Sequence, residues 1–153
     1  MPTIEPAGPA RQRGFAYLWV LLLVAFMGVG LTLVVQIDAT EAQRERERQL
    51  LGIGRQFQVA LGRYYEVGIG AKEYPATLEE LLQDSRVPGI RRHLRQIFID
   101  PMTGKAQWGL ILVNGRIVGV HSLSAKVPIK QDGFAPEHQG LRRKQAYSAW
   151  QFV

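Results

Sequence analysis

The fold is decided by one stretch, DATEAQRERERQLLGIGRQFQVALGRYYEVG (Asp38–Gly68), which contains no proline. Its apolar residues recur at steps of three, four, four and three, which places them on one face of a helix. They are Leu50, Ile53, Phe57, Leu61 and Tyr64. The glycines at 52, 54 and 62 each weaken a free helix by up to about 1 kcal/mol. The stretch therefore predicts a helix that is stabilised by packing against a domain.

Alternating charges occupy the start of this stretch, at RERER (Arg44–Arg48). Opposite charges three residues apart, such as Glu45 and Arg48, stabilise a helix surface. Alternating charge is typical of an exposed helical face. We therefore expect a solvated collar here, within a helical segment that covers residues 38–70.

An uncharged apolar run, Phe15–Ile37, precedes the collar. As a helix it would reach roughly 34 Å, enough to cross a hydrocarbon core of about 30 Å. It is longer than the apolar part of a secretory signal peptide, and no small-residue cleavage site follows it. The run therefore predicts a retained transmembrane helix over residues 15–37.

Flanking charge predicts the orientation of that helix. Arg11 and Arg13 precede the run, whereas Asp38 and Glu41 are the first charges after it. The positive-inside tendency places the N-terminus in the cytoplasm and the rest of the chain outside. The 153-residue chain contains no cysteine, so no disulfide holds the exported part together. That part is large enough for one small core.

The C-terminal part, residues 71–153, contains strand patterns. Trp108–Val113 and Arg116–Ser122 flank Asn114–Gly115, the dipeptide that a two-residue type I′ hairpin turn favours. The closing AYSAWQFV (Ala146–Val153) alternates and predicts a third strand, with Trp150 and Phe152 on one face. The fold class is therefore α+β, with a long N-terminal helix on a small antiparallel sheet. Between the strands, residues 124–146 form a long irregular loop, which is usually functional or mobile.

A short helix and a basic cluster lie between the long helix and the hairpin. Thr77 and Glu80 have the spacing of a capping box, and leucines follow them. The cluster, called here the basic patch, comprises Arg86, Arg91, Arg92, His93 and Arg95. Nucleic-acid binding would require interleaved aromatic residues or a known module, and the patch has neither. We expect a solvated or partner-facing surface.

No catalytic pattern is present. The histidines His93, His121 and His138 are scattered, and no serine lies in a nucleophile elbow. The glycine-containing segments GIGR and GIGA lack the lysine and the strand context of a phosphate loop. The sequence therefore predicts neither an enzyme nor a protein with a small-molecule substrate.

The N-terminal segment RQRG followed by FAYLWVLLLVAFMGVGL resembles a class III leader, and the whole arrangement resembles the superfamily of type IV pilins and type II secretion pseudopilins. YPATLEELLQD (Tyr74–Asp84) and IDPMTGKAQWGLI (Ile99–Ile111) resemble the major-pseudopilin branch. The resemblance implies a pilin-like fold and a cytoplasmic leader, residues 1–14. It also implies that a prepilin peptidase cleaves between Gly14 and Phe15 and methylates the amine of Phe15.

One position departs from the family pattern. The family usually carries glutamate at the fifth mature position, where this chain has Trp19. A buried amine that lacks its carboxylate partner is costly, so a minor or accessory subunit is expected.

The major branch also binds calcium near its C-terminus. In the corresponding loop only Asp132 and Glu137 offer carboxylates, whereas calcium takes six to eight oxygens. We predict no cofactor, with calcium left open through backbone carbonyls.

The resemblance implies a single-pass inner-membrane protein with a periplasmic domain that assembles into a pseudopilus and supports protein export. Its implied partners are other pseudopilins and the inner-membrane secretion platform. Two alternatives remain open. One is a minor type IV pilin in pilus assembly or DNA uptake, in which Arg91, Arg92 and Arg95 touch DNA. The other is an unrelated membrane-anchored domain that is never cleaved.

Overall fold

A computed structural model describes residues 13–68 and 72–153, and for residues 13–15 and 29–38 it describes only the helix backbone. The structure is α+β, with one long helix, short 3-10 turns and an antiparallel sheet. The chain divides into two compact units, Met1–Glu41 and Ala42–Val153. Residues 1–12 of the expected leader lie outside the described residues.

Helix α1 extends from Arg13 to Val67 as one element. The predicted stripe is confirmed, because Leu50, Phe57, Leu61 and Tyr64 are at most 3% exposed and Ile53 packs against the same core. Phe57 lies at the centre of this face. Its ring makes edge contacts with Trp108 at 5.1 Å and with Phe98 at 6.2 Å between ring centroids. The helix therefore supplies one side of the core of the second unit.

Gly54 allows the end of the chain to approach the helix backbone closely. A Cβ atom placed at Gly54 would lie 2.3 Å from Cδ1 of Phe152, which is far inside van der Waals contact. The Phe152 ring is fully buried. This glycine weakens the isolated helix but makes room for the last strand, so its cost is offset by tertiary packing.

The hairpin is confirmed. Strand β1 is Gly109–Val113 and strand β2 is Arg116–His121, and the two are antiparallel neighbours. Asn114 and Gly115 have φ angles of 52° and 75°, the left-handed values that a type I′ turn requires. Strand β2 is the central strand of the sheet, whose order is β1-β2-β3.

The third strand is shorter than predicted. Strand β3 is Gln151–Phe152 only, and Tyr147–Ala149 forms a 3-10 turn. The turn replaces extended backbone because the Tyr147 amide donates to the Lys126 carbonyl at 3.1 Å and the Trp150 amide donates back to Tyr147 at 2.9 Å. Trp150 and Phe152 are both fully buried, in agreement with the predicted apolar face.

The predicted capping box is wrong. The segment forms only a three-residue 3-10 turn, Glu79–Leu81, which has no side-chain cap. The Glu80 carboxylate instead accepts a hydrogen bond from the Tyr64 hydroxyl, and a long one of 3.4 Å from the Ala76 amide. Because Tyr64 of α1 occupies that carboxylate, the turn is held by tertiary contact and not by local capping.

Candidate functional site

The first unit presents an apolar helix surface. Every large apolar side chain from Tyr17 to Met27 is exposed, from 48% for Leu22 to 68% for Phe26, and Trp19 is 60% exposed. Consecutive positions on a helix point in all directions, so this surface surrounds the helix and is not one stripe. A contiguous apolar surface of this extent is uncommon on soluble monomeric proteins and is typical of sites that bind protein or membrane.

The predicted membrane helix and cleavage site fall partly outside the described side chains. Gly14 and Phe15 belong to α1, but their side chains lie in the undescribed set, as do those of residues 29–38. Within the part of the chain that the structure describes, no helix combines the length and hydropathy that crossing a membrane requires. The membrane helix at 15–37 and the cleavage between Gly14 and Phe15 stay predictions.

The second unit ties its loop to the helix through Glu47. This carboxylate is 3% exposed. Its Oε1 atom accepts hydrogen bonds from the Ile129 amide at 2.6 Å and from the Tyr147 hydroxyl at 2.8 Å, and the Lys130 amide donates to it at 3.2 Å. Burial, the largest cause, raises the pKa of Tyr147 to about 12, so the hydroxyl stays a donor at neutral pH.

The collar interpretation is therefore wrong at one position. Arg46 is exposed, but Glu47 is enclosed by the loop. Sequence spacing contains the signal that was missed, because Gln43 and Glu47 continue the buried stripe upward in alternating steps of four and three residues. The Gln43 amide donates to the Tyr147 hydroxyl at 2.8 Å and to the Val127 carbonyl at 3.1 Å. Buried polar residues on a core stripe indicate that hydrogen-bonding groups pack against them.

The structure divides the basic patch, because two of its five members, the buried side chain of His93 and the partly buried Arg86, pack against Asp84. Asp84 is 1% exposed, and its carboxylate accepts hydrogen bonds from Arg86 Nη2 at 2.9 Å and from Arg86 Nε at 3.0 Å. His93 Nε2 lies 3.0 Å from the same carboxylate, and the His93 side chain is 3% exposed. The Arg86 hydrogen bonds hold the pKa of Asp84 well below its usual range against the opposing effect of burial.

Arg86 also anchors the end of the long helix. Its Nη2 donates to the Tyr64 carbonyl at 2.6 Å, and its guanidinium lies 3.5 Å from the centre of the Tyr64 ring. Burial, followed by the Glu80 contact, raises the pKa of Tyr64. Asp84, Arg86 and His93 therefore form an internal knot, defined by these three side chains, between α1 and the segment that follows it.

The other three members of the patch are exposed. Arg91, Arg92 and Arg95 lie on the surface, and among the described residues none of them forms a salt bridge. The expected partner-facing surface therefore rests on these three arginines alone.

The candidate calcium residues do not converge. Asp132 binds Arg142 at 2.8 Å and the Gly133 amide at 2.7 Å, whereas Glu137 faces Arg55 at 3.9 Å. No cluster of three or more acidic, histidine or cysteine side chains suited to a metal ion occurs among the described residues. The absence of a cofactor, and of an enzymatic role, remains a prediction.

Comparisons with known proteins add no relative. No protein-family model matches the chain, and neither the curated proteins nor the solved structures contain a significant match.

Proposed function

We propose that this protein is a pseudopilin-like subunit of a type II secretion system, which assembles through its N-terminal helix into a periplasmic filament that supports protein export. The single observation that carries the proposal is the apolar surface of Tyr17–Met27, exposed around the whole helix. A surface of this kind needs lipid before assembly and neighbouring helices after it, and one helix that serves both purposes is the mechanism of this class.

The second unit supports the same proposal. Core residues of α1 from Leu50 to Tyr64 are buried within the second unit, whereas the residues up to and including Glu41 belong to the other unit. One continuous helix thus has a buried stripe between Leu50 and Tyr64 and exposed apolar side chains between Tyr17 and Met27. We propose that lipid or neighbouring subunits cover the exposed side chains. The small residues Ala25 and Gly28 would let neighbouring helices approach closely, and a Cβ atom at Gly28 would meet nothing within 4 Å.

Processing is the first test of this proposal. Co-expression with an active prepilin peptidase is expected to remove residues 1–14 and to leave a methylated Phe15 amine, both measured by intact mass. Gly14→Ala is expected to reduce the processed fraction severely, because it introduces a side chain at the scissile bond. Gly28→Ala is the matched control, since its new Cβ atom meets open space, and it is expected to be processed fully. An unprocessed wild-type chain, beside a control prepilin that is cut, would contradict the proposal.

Trp19 supplies the second test, which asks whether this protein is a minor subunit of the filament. Within a filament, a carboxylate at this position would meet the Phe15 amine of a neighbour in a low dielectric, where attraction is far stronger than in water. The same charge costs about 2.5–3.5 kcal/mol in lipid on insertion scales. We expect filament contacts to prevail, so that Trp19→Glu raises the fraction recovered in sheared filaments from cells that retain their own pseudopilins.

Trp19→Gln is the control for that experiment, because glutamine has the size of glutamate without its charge. It is expected to behave as the wild type. Equal incorporation of wild type and Trp19→Glu, at equal membrane levels, would show that Trp19 does not mark a minor subunit.

A further inference from the structure

A groove in the second unit lies between α1 and the segment at residues 93–95. Gly52, Gln56, Val59 and Arg63 recur at steps of four, three and four residues, so they form a second stripe beside the buried one. The backbone segment at 93–95 forms the opposite wall. The groove has a volume of about 310 Å³.

The wall of the groove is preformed. Leu94 is 6% exposed and belongs to the core. The amides of His93 and Leu94 both donate to the Leu81 carbonyl at 2.9 Å. The His93 ring is held by Asp84 at 3.0 Å and by an edge contact with Tyr64 at 5.4 Å. The backbone that carries Arg95 is therefore fixed by buried contacts, and a ligand would not have to order it.

Positive charge surrounds an apolar floor in this groove. Arg55, Arg63 and Arg95 line it together with Val59, which is 45% exposed. Among the described residues neither Arg63 nor Arg95 forms a salt bridge, and Arg55 has only the 3.9 Å approach of Glu137, on a side chain that is 68% exposed. Three arginines thus line one groove, and only Arg55 has a carboxylate of the described residues within 4 Å.

We infer that this groove, which we call the arginine groove and define by Arg55, Val59, Arg63 and Arg95, binds an acidic peptide segment of another protein. Arginine forms paired hydrogen bonds with carboxylates, and the segment would place carboxylates on the arginines and an apolar side chain on Val59. The inference is independent of whether the N-terminus is processed, because every residue of the groove lies in the second unit.

The lining distinguishes this occupant from the others. Single-stranded nucleic acid binds through aromatic side chains that stack on bases, and the residues that line the groove include no phenylalanine, tyrosine or tryptophan. A second copy of the chain carries a net charge of +6, which opposes association of two such surfaces. An acidic peptide satisfies both the charge and the apolar floor.

The test uses the full-length chain in an uncharged detergent and a fluorescent synthetic peptide of repeated Glu-Glu-Leu-Gly units. Fluorescence anisotropy is expected to show binding at about 50 mM salt and at least tenfold weaker binding at about 300 mM, because salt screens charges at the surface. Arg63→Ala with Arg95→Ala is expected to weaken binding at least tenfold, and Val59→Asp to do the same. A peptide with glutamine in place of glutamate is expected not to bind.

Arg46→Ala with Lys105→Ala is the matched control, since it removes the same charge from exposed side chains outside the groove. It is expected to change the affinity less than about twofold, because neither side chain lines the groove and exposed charges interact weakly through water. Equal loss in both double variants would overturn the inference, as would the absence of peptide binding.

Two other outcomes would assign the groove to a different occupant. Oligo-dT that binds more tightly than the peptide, and that no longer binds Arg63→Ala with Arg95→Ala, would assign it to nucleic acid. Self-association of the chain that is lost in the same variant would assign it to a second copy. Either result would overturn the acidic-peptide inference.

Discussion

Replacement of Phe57 with alanine is expected to lower the free energy of unfolding of the second unit by about 3–5 kcal/mol. The Phe57 ring is fully buried and makes edge contacts with Trp108 and Phe98. Its removal would leave a cavity between the helix and the segment before the hairpin, where two aromatic rings cannot collapse without leaving their own contacts. Urea denaturation followed by tryptophan fluorescence measures the effect, since Trp108 and Trp150 both report on this core.

The measurement uses a fragment that begins at Ala42, which we expect to fold by itself because the buried apolar core lies entirely within it. Val59→Ala, two positions further along the same helix, is the control. Val59 is 45% exposed, so its truncation is expected to change the free energy by no more than about 0.5 kcal/mol. A change below about 1 kcal/mol for Phe57→Ala would contradict the assignment of this stripe to the core.

The second large effect is expected for Asp84→Asn, which removes the carboxylate that forms the ion pair with Arg86 in the internal knot. Loss of one partner of a buried pair costs about 3 kcal/mol at the lower end of the usual range, and Arg86 keeps some contact with water because its side chain is 26% exposed. Asp132→Asn is the matched control. Asp132 binds Arg142 at a similar distance of 2.8 Å, but its side chain is 61% exposed, so solvent screens the pair and a much smaller loss than for Asp84→Asn is expected.

The same pair makes a prediction about acid. Because the folded state lowers the pKa of Asp84, the stabilisation is complete above the unfolded pKa of about 3.9 and is lost as the pH falls below it towards the folded value. Wild-type stability is therefore expected to decrease below about pH 4 more steeply than that of Asp84→Asn. Equal slopes in denaturation measurements across this range would contradict the role given to the internal knot.

Two parts of the fold could be predicted because their causes are local. The hairpin follows from Asn114–Gly115, whose residues adopt positive φ angles at low cost, between two strand patterns. The core face of α1 follows from the spacing of Leu50, Phe57, Leu61 and Tyr64, since a helix brings residues three and four apart to one side. Neither inference needed knowledge of what packs against these residues.

The candidate site was less predictable because its charges depend on distant partners. Arg86 and His93 have the appearance of a surface patch in the sequence, yet Asp84 and Tyr64 draw them inside. No sequence spacing groups Arg55 and Arg63 with Arg95, since Arg95 lies outside the helix that carries the other two. Sequence spacing predicts which residues are neighbours within one helix or strand, but it does not predict which other element packs against them.

By itself, the sequence determined that a long helix with one buried stripe is followed by a hairpin, and that an uncharged apolar run precedes both. These properties arise from the periodicity of the backbone and from the transfer of apolar side chains out of water. Both leave a pattern that is visible within a short stretch of sequence. Only the tertiary structure decided that Glu47 is enclosed, that Gly54 faces the ring of Phe152 and that Tyr147 begins a turn. A buried carboxylate or a glycine contact requires a partner from the far end of the chain, and the position of that partner is set by the packing of the whole core.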